Sequence, residues 1–434
     1  MTLGYASFLA RKVAAGPRHG HACDPGDVHP SLHPWQARIV AWAVRAGRAA
    51  IWADTGLGKT RMQLEWARLS AERTLLVAPL AVCAQTVAEA ARIGITARYV
   101  RDGAQVDGPG IWVTNYEMTE RFDATAFGAV VLDESSILKD VTSKIRDRLI
   151  AQFADTPRRL ACSATPAPND VAELANHAEF LGAATRREML STYFIHDTDG
   201  WRAKGHAREP MFRWMASWAV ALRRPSDIGY PDDGYALPDL TVTPHLIDVD
   251  LPVPEGQLFA TDLGGVGGRA KVRRDTLAAR TARAAQLVMD EPAEPWLLWC
   301  GLNDEADALA RALPDAVNVH GSMKPERKAE LLLAFAAGDI RHLITKPGIA
   351  AFGLNWQHCA RMVFVGLSDS YEAYYQAIRR CWRYGQTRPV QVHIVLSSIE
   401  GQIATNVTRK ERDAARFTGE LVAQMRTADH WSQP

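Results

Sequence analysis

IWADTGLGKT, residues 51–60, decides the reading of the sequence around it. The apolar run Ala49 to Ala53 enters Asp54-Thr55-Gly56-Leu57-Gly58-Lys59-Thr60, and the helical pattern RMQLEWARL follows at once. Strand, glycine loop, Lys-Thr and helix in that order form the context of a P-loop. Gly56 and Gly58 let the backbone curl until its N–H groups converge on phosphate oxygens, and the start of the next helix adds its positive dipole end. Lys59 is then the side chain that reaches the β- and γ-phosphates, and the Thr60 hydroxyl ligates magnesium. Thr55, Gly56, Leu57 and Gly58 complete the phosphate cradle. Ala53 stands where the general pattern has glycine.

A P-loop requires a second metal carboxylate at the end of a neighbouring strand, and AVVLDES, residues 129–135, supplies it. Asp133 would hold magnesium, and Glu134 would position and deprotonate an attacking water. Helix-capping acids would explain one carboxylate after a strand but not the P-loop upstream.

Outward from these two motifs, short apolar runs alternate with helical patterns, the signature of a parallel sheet covered by helices. Strands are expected at 49–53, 74–79, 110–115, 129–134 and 158–165, and again at 296–300, 317–320, 342–346, 361–366 and 390–396. The sequence from Tyr193 to Tyr235 is rich in Trp, Arg, Gly and Pro without a clean period. A glycine stretch from Asp262 to Gly268 precedes a basic helical segment from Lys271 to Met289 and reads as a joint. These divisions give an N-terminal extension (1–30), a first α/β lobe (31–190), an insertion or bridge (191–240) and a second α/β lobe (241–434).

The bulk properties fit two soluble lobes: 434 residues, 47 % hydrophobic, formal net charge +1. No acidic tail or basic arm announces a polyanionic partner, so any nucleic-acid surface must be local. Six scattered cysteines without a CxxC pair read as reduced core thiols of an intracellular, cytoplasmic protein. No run approaches the roughly 20 apolar residues of a membrane helix, and the N-terminus has no signal-peptide pattern. The group His19, His21, Cys23, His29 and His33 has no recognised zinc spacing.

At this point the motifs, in their order, resemble superfamily 2 helicases. The segment ADTGLGKT is similar to their AxTGxGKT. LHPWQ, with Gln36, resembles the adenine-recognising glutamine motif, VAPLAV (77–82) motif Ia, VTNYEM (113–118) the next strand-end motif and SATP (163–166) motif III. ITKPGIAAFGLNWQ (344–357) resembles motif V, with Gly353 among the nucleotide-binding residues, and QAIRRCWRYGQTRP (376–389) resembles motif VI. The GLN tripeptide and the RxGQ ending point to the Swi/Snf-type branch, and the small chain is similar to compact helicases carried by bacteriophages and prophages. The resemblance implies two tandem RecA-like lobes with ATP and magnesium in the cleft between them. It also implies ATP hydrolysis coupled to movement on DNA, duplex in this branch, usually without strand separation. Motif II reads DESS where most relatives have DEAH or DEAD, so the acids survive but Ser135 and Ser136 replace the residues that relay the ATP state.

A helix from Tyr371 to Arg383, at about 100° per residue, places Tyr371, Tyr374, Tyr375, Ile378 and Trp382 on one side. Gln376, Arg380 and Arg383 fall opposite, and Arg379 stands at the edge. The resemblance assigns Arg383 as the arginine finger and Arg380 as its partner. Asn115, Thr345 and Lys346, at strand ends, are candidates for nucleic-acid phosphate contacts, with Arg202, Lys204, Arg223 and Arg224 in the bridge behind them. Trp356 reads as packed rather than stacked on a base. Two other readings remain: an RNA helicase of the DEAD-type branch, and an ATP-gated nucleic-acid-binding scaffold with little turnover.

Overall fold

The structure, a computed structural model, describes residues 19–140, 142–168, 170–198, 200–248, 273–349, 355–368 and 370–427. Two compact units divide the chain, one of Met1–Tyr235 with Asp413–Pro434, the other of Ala236–Arg412.

The first unit is built on strands β1 (Arg48–Ala53), β2 (Arg73–Ala78), β3 (Ala97–Tyr99), β4 (Gly110–Asn115), β5 (Ala129–Asp133) and β6 (Arg158–Cys162). A two-stranded antiparallel hairpin, β7 (Phe194–Asp197) with β8 (Gly200–Ala203), follows, and then β9 (Ala219–Leu222). The seven-stranded sheet runs β3-β4-β2-β5-β6-β1-β9 and its described pairings are all parallel. Parallel strands covered on both faces read as continuous apolar runs, and Ala49 to Ala53 are accordingly 0–3 % exposed. Helices α1 (Pro34–Ala46), α2 (Lys59–Ser70), α3 (Leu80–Arg92), α4 (Lys144–Gln152), α5 (Leu174–Leu181), α6 (Arg186–Tyr193) and α7 (Arg208–Met215) connect and cover the sheet. The parallel arrangement puts the carboxyl ends of β1 and β5 on one edge, with β6 between them. That edge is where open α/β sheets bind ligands.

The second unit has strands β10 (Leu240–Ile247), β11 (Trp296–Cys300), β12 (Val317–Asn318), β13 (His342–Thr345), β14 (Arg361–Val365) and β15 (Val390–Ser397). They form a parallel sheet in the order β10-β15-β14-β11-β13-β12. Its helices are α8 (Leu277–Asp290), α9 (Asn303–Ala312), α10 (Pro325–Ala337) and α11 (Tyr371–Ile378). The last helix, α12 (Gly401–Thr427), belongs to this unit through Arg412 and to the first from Asp413. The fold is the α/β class with two parallel sheets that the motif order implied. No described helix is long and apolar enough to cross a membrane, and all six cysteines are free and buried.

Three divisions differ from the sequence expectation. The stretch 191–240, expected as an insertion or bridge, contributes β9 to the first sheet, paired with β1 from Ala50↔Ala219 to Ala53↔Leu222. AVAL is too short to display a period, and the flanking Trp, Arg and Pro residues hide it. The second unit does not run from 241 to 434, because Phe417, Leu421 and Met425 of α12 lie in the core of the first unit. Within the expected N-terminal extension, Cys23 and Val28 also join that core. Strand β10 alternates half-buried and exposed residues and contains Pro244, which suits the edge position it occupies. The glycine stretch 262–268 lies outside the described residues.

Candidate functional site

Leaving β1, the chain passes through Gly56 (φ 91°) and Gly58 (φ 75°) before α2 begins at Lys59. Both values lie in the left-handed region that glycine tolerates without strain. A β-carbon on Gly58 would sit 2.4 Å from Gln36 Nε2, so the loop is close-packed as well as tightly turned. The Gln36 Nε2 group donates to Leu57 O at 2.9 Å, and its Oε1 accepts from the His33 N–H at 2.9 Å. This side chain, 3 % exposed, therefore braces the loop from the start of α1. Lys59 Nζ donates to Ala53 O at 2.8 Å and more weakly to Asp54 O at 3.4 Å, folding the ammonium over the loop backbone. Thr55 N donates to Asp54 Oδ1 at 2.6 Å. Thr60 is half-buried in the first turn of α2, where N–H groups have no partner within the helix.

Asp133 closes β5 at 5 % exposure. Its Oδ1 accepts from Gln63 Nε2 at 2.7 Å and from the Glu134 N–H at 3.1 Å. Burial raises its pKa, opposed by the Gln63 hydrogen bond and the charge of Lys59. Gln63 lies one helical turn beyond Lys59, so a single helix carries both the lysine and the amide that anchors the aspartate. Tyr116 Oη donates to the Asp133 carbonyl, fixing the strand end from the other side. Glu134 is the one non-glycine residue with positive φ among the described residues, at φ 53° and ψ 53°. This left-handed kink costs about 1–3 kcal/mol and breaks the side-chain alternation of the strand immediately after Asp133.

After the acids, Ser135 Oγ meets His177 Nε2 of α5 at 3.1 Å, both residues fully buried. The His177 ring meets Trp52 of the P-loop strand edge to face at 5.6 Å. Trp52 in turn contacts Trp218, at 5.6 Å, and Phe417 of α12, at 5.9 Å. In SATP, the Thr165 N–H donates to Ser163 Oγ at 3.0 Å, and the Ser163 N–H bonds Ile51 O of β1 at 3.3 Å. Glycine loop, acid pair and SATP thus meet through β1, β5 and β6. The sequence reading missed Gln63, Tyr116 and His177. Only Gln63 left a signal, its i+4 spacing from Lys59.

Motif VI differs from its expected shape. Helix α11 stops at Ile378 rather than Arg383. The chain turns there because the Trp382 indole donates to Pro238 O at 2.7 Å and the Arg380 carbonyl accepts from the Trp356 N–H at 2.8 Å. Arg379, expected at the edge, is buried against the rings of Trp382 (4.3 Å) and Tyr375 (5.2 Å). Gln386 Nε2 donates to Cys359 O at 3.0 Å, which closes the turn. Gln376 and Arg380 line a pocket of about 200 Å³ with Trp299, Pro347 and Gly348. Arg383 is half-buried, and burial together with the charges of Arg380 and Arg379 lowers its pKa to about 10.

Of the nucleic-acid candidates, Asn115 is 1 % exposed and bonded to Tyr99 Oη and Glu117. Thr345 is fully buried, with its hydroxyl on Val319 O at 3.2 Å. Lys346 is half-buried and lines a pocket of about 290 Å³ at the carboxyl ends of β11, β13 and β14. Lys204 caps α6 through the Ser191 and Thr192 carbonyls, and Arg202 pairs with Asp197 at 3.3 Å. The nearest carboxylates to Arg224 are Asp232, at 3.7 Å, and Asp227, at 3.9 Å. Trp356 is fully buried against Phe335 and Trp299. Gly353 lies outside the described residues.

Residues 281–385 match the helicase conserved C-terminal domain family. The match begins within α8 and ends at the glycine of the RxGQ element, so it includes the motif V and VI stretches. No curated protein matches the chain. Among solved structures the chain is similar to the Sulfolobus solfataricus SWI2/SNF2 ATPase core in complex with dsDNA, at 16 % identity and a TM-score of 0.45, over 94 % of this chain and 98 % of that one.

Proposed function

We propose that the chain is a superfamily 2 helicase-type ATPase that hydrolyses ATP in response to nucleic acid and moves on duplex DNA. The observation that carries this reading is the Gln63–Asp133 hydrogen bond, which joins the helix of the P-loop lysine to the strand end bearing the two acids. Loop, lysine and acids so joined suit the handling of a nucleoside triphosphate. The helicase domain match over residues 281–385 supports the same class, and the GLN and RxGQ elements favour DNA over RNA.

Lys59 would leave the Ala53 and Asp54 carbonyls for phosphate oxygens, exchanging neutral acceptors for charged ones. Thr60 and Asp133 are hard oxygen donors of the kind magnesium takes, and the Asp133 carboxylate is already anchored through one oxygen. Bound there, magnesium would neutralise charge on the β- and γ-phosphates. Glu134 orients the attacking water and accepts its proton. Thr55, Gly56, Leu57 and Gly58 supply backbone to the phosphates, and Gln36 keeps their loop in shape. Arg383, with Arg380, stabilises charge developing on the transferred phosphoryl group.

The test is ATPase rate with no nucleic acid, duplex DNA, single-stranded DNA and RNA. Duplex DNA is expected to stimulate most, Lys59→Ala and Glu134→Gln to abolish turnover, and Arg383→Ala to lower kcat by about 10³-fold or more. Equal rates with and without every nucleic acid would refute the motor. RNA as the best activator would move the chain to the DEAD-type branch. Tight ATP binding with only slow single-turnover hydrolysis would make it the ATP-gated scaffold.

A further inference from the structure

We infer that the first unit carries a second nucleic-acid site, a groove between α4, α6 and the β7–β8 hairpin that holds an unpaired strand, with phosphate on arginines and a base against Trp201. This goes beyond the proposed function, which needs only a duplex track. The groove has a volume of about 700 Å³ and is lined by none of the P-loop or Asp133–Glu134 residues. That volume is the scale of pockets that enclose organic molecules, larger than an ion site needs.

Its basic wall is built around one amide. Asn176, fully buried, accepts at Oδ1 from Arg146 Nη1 at 3.4 Å and from Arg186 Nε at 3.1 Å. Its Nδ2 is anchored on Leu138 O at 2.7 Å and Lys139 O at 3.3 Å. Two guanidinium groups therefore share one neutral oxygen. Burial, and then the neighbouring charge of Arg146, depresses the pKa of Arg186, the cost of holding like charges together out of water. The Arg146 side chain is only 11 % exposed, so its position is largely fixed before any ligand arrives. Arg187, exposed, adds a third guanidinium at the rim. Planar forks fixed in this way match phosphate oxygens. Two carboxylates also line the groove, Asp147 paired with Arg146 and Glu179 acting on Arg186. The excess of one positive charge suits spaced phosphates of a strand better than a compact polyanion.

The remaining walls supply what a base requires. Ile150, Ala151, Ala154 and Leu190 give an apolar floor. Trp201 of β8 stands half-buried beside it, braced edge to face by His196 at 4.9 Å. Lys204 holds the end of the hairpin against α6 through Ser191 and Thr192. A fixed indole beside arginine forks is the pairing that unpaired strands use, base on ring and phosphate on guanidinium. A duplex keeps its bases paired and stacked, and a run of carboxylate side chains alone brings no ring to the indole.

The test is fluorescence anisotropy of the full-length protein with a labelled oligothymidylate of about 12 nucleotides and with a duplex of equal length, without ATP. Charge reversal at Arg186→Glu and Arg187→Glu together is expected to raise the single-strand Kd about tenfold or more and to reduce the magnitude of the negative slope of log K against log salt by about 1.4 or more. Trp201→Ala is expected to weaken single-strand binding about fivefold or more, to leave the salt slope unchanged, and to leave duplex binding within about twofold. Circular-dichroism melting monitors folding, and Trp201→Phe, weakened less than alanine, decides the matter if the alanine variant melts early. Wild-type affinity in all variants overturns the inference. Loss in the arginine variant alone reduces the groove to an anion site and overturns it too, as does a polyglutamate peptide that competes as well as the oligonucleotide. Binding is read without ATP, so failed hydrolysis would sink the motor and leave the groove standing.

Discussion

Replacing His177 with alanine would test whether DESS still works as a relay. The imidazole is fully buried, bonded to Ser135 Oγ at 3.1 Å and edge-on to Trp52 at 5.6 Å. Its removal strands a buried hydroxyl, about 1–3 kcal/mol, forfeits an aromatic pair, about 0.5–1.5 kcal/mol, and leaves a void beside the P-loop strand. These overlap, and the expected total is about 3–5 kcal/mol by urea denaturation. Ser135→Ala alone should cost about 1–2 kcal/mol, and the double variant less than the sum, because both remove one contact. Acid sharpens the test. Burial lowers the His177 pKa from 6.5 to about 4, so on acidification the unfolded chain takes up its proton first. Stability associated with this histidine is therefore complete above pH 6.5 and falls away between pH 6.5 and pH 4, by about 3 kcal/mol. The alanine variant should lose that part of the slope. A destabilisation below about 1 kcal/mol, or wild-type and variant curves parallel across that window, would refute the reasoning. Because Ser135 follows Glu134, kcat should also fall, by about tenfold or more for a displaced base.

Gln63→Ala should raise the magnesium concentration for half-maximal ATPase by about tenfold or more, the usual cost of losing a partner behind a metal ligand; unchanged magnesium dependence would remove Gln63 from that role. Phe417→Ala should destabilise the first unit by about 3–5 kcal/mol, lowering its thermal midpoint by roughly 10 °C, since Phe417 is 4 % exposed among Trp52 and Phe212. In the second unit, Arg280→Met should cost about 3–5 kcal/mol in denaturant. It would leave Glu305, which is fully buried and bonded at 2.8 Å to Arg280 Nη1, without its cation.

What the sequence made legible divides along the range of the interactions involved. The P-loop could be read because its requirements are local: Gly56 and Gly58 for positive φ, and Lys59 and Thr60 at a helix start. The strand ending in Asp133 could be read because burial on both faces writes an unbroken apolar run. Glu134 could be picked out as a second acid at a strand end, but its left-handed backbone could not be seen, since nothing in DESS forbids an extended continuation. Gln36 is expected to read adenine, yet its buried amide is engaged by Leu57 O, 21 residues away, and by the His33 N–H, a use that needs the fold. The end of α11 was misjudged for the same reason: periodicity continues through Arg383, while the indole of Trp382 is drawn off by a carbonyl 144 residues earlier.

The DESS segment, residues 133–136, follows this logic furthest. Set beside DEAD and DEAH, Ser135 stands where both have alanine, so it adds a hydroxyl, and only Ser136 stands in place of a larger acid or imidazole. In the fold that added hydroxyl has a partner: His177 of α5 bonds the serine and lays its ring on Trp52 of β1. The same tryptophan touches Phe417 of α12, in a helix that begins in the other unit. A hydroxyl that alanine lacks therefore ties the segment after Glu134 to β1 through His177, so a motif scored position by position reports a mere variation where the packed structure has a connection. If that is right, Ser135→Ala and His177→Ala must each depress ATPase coupling to nucleic acid by a similar factor, with Phe417→Ala following. A Ser135 variant that kept full stimulation by DNA would leave the contact as core packing.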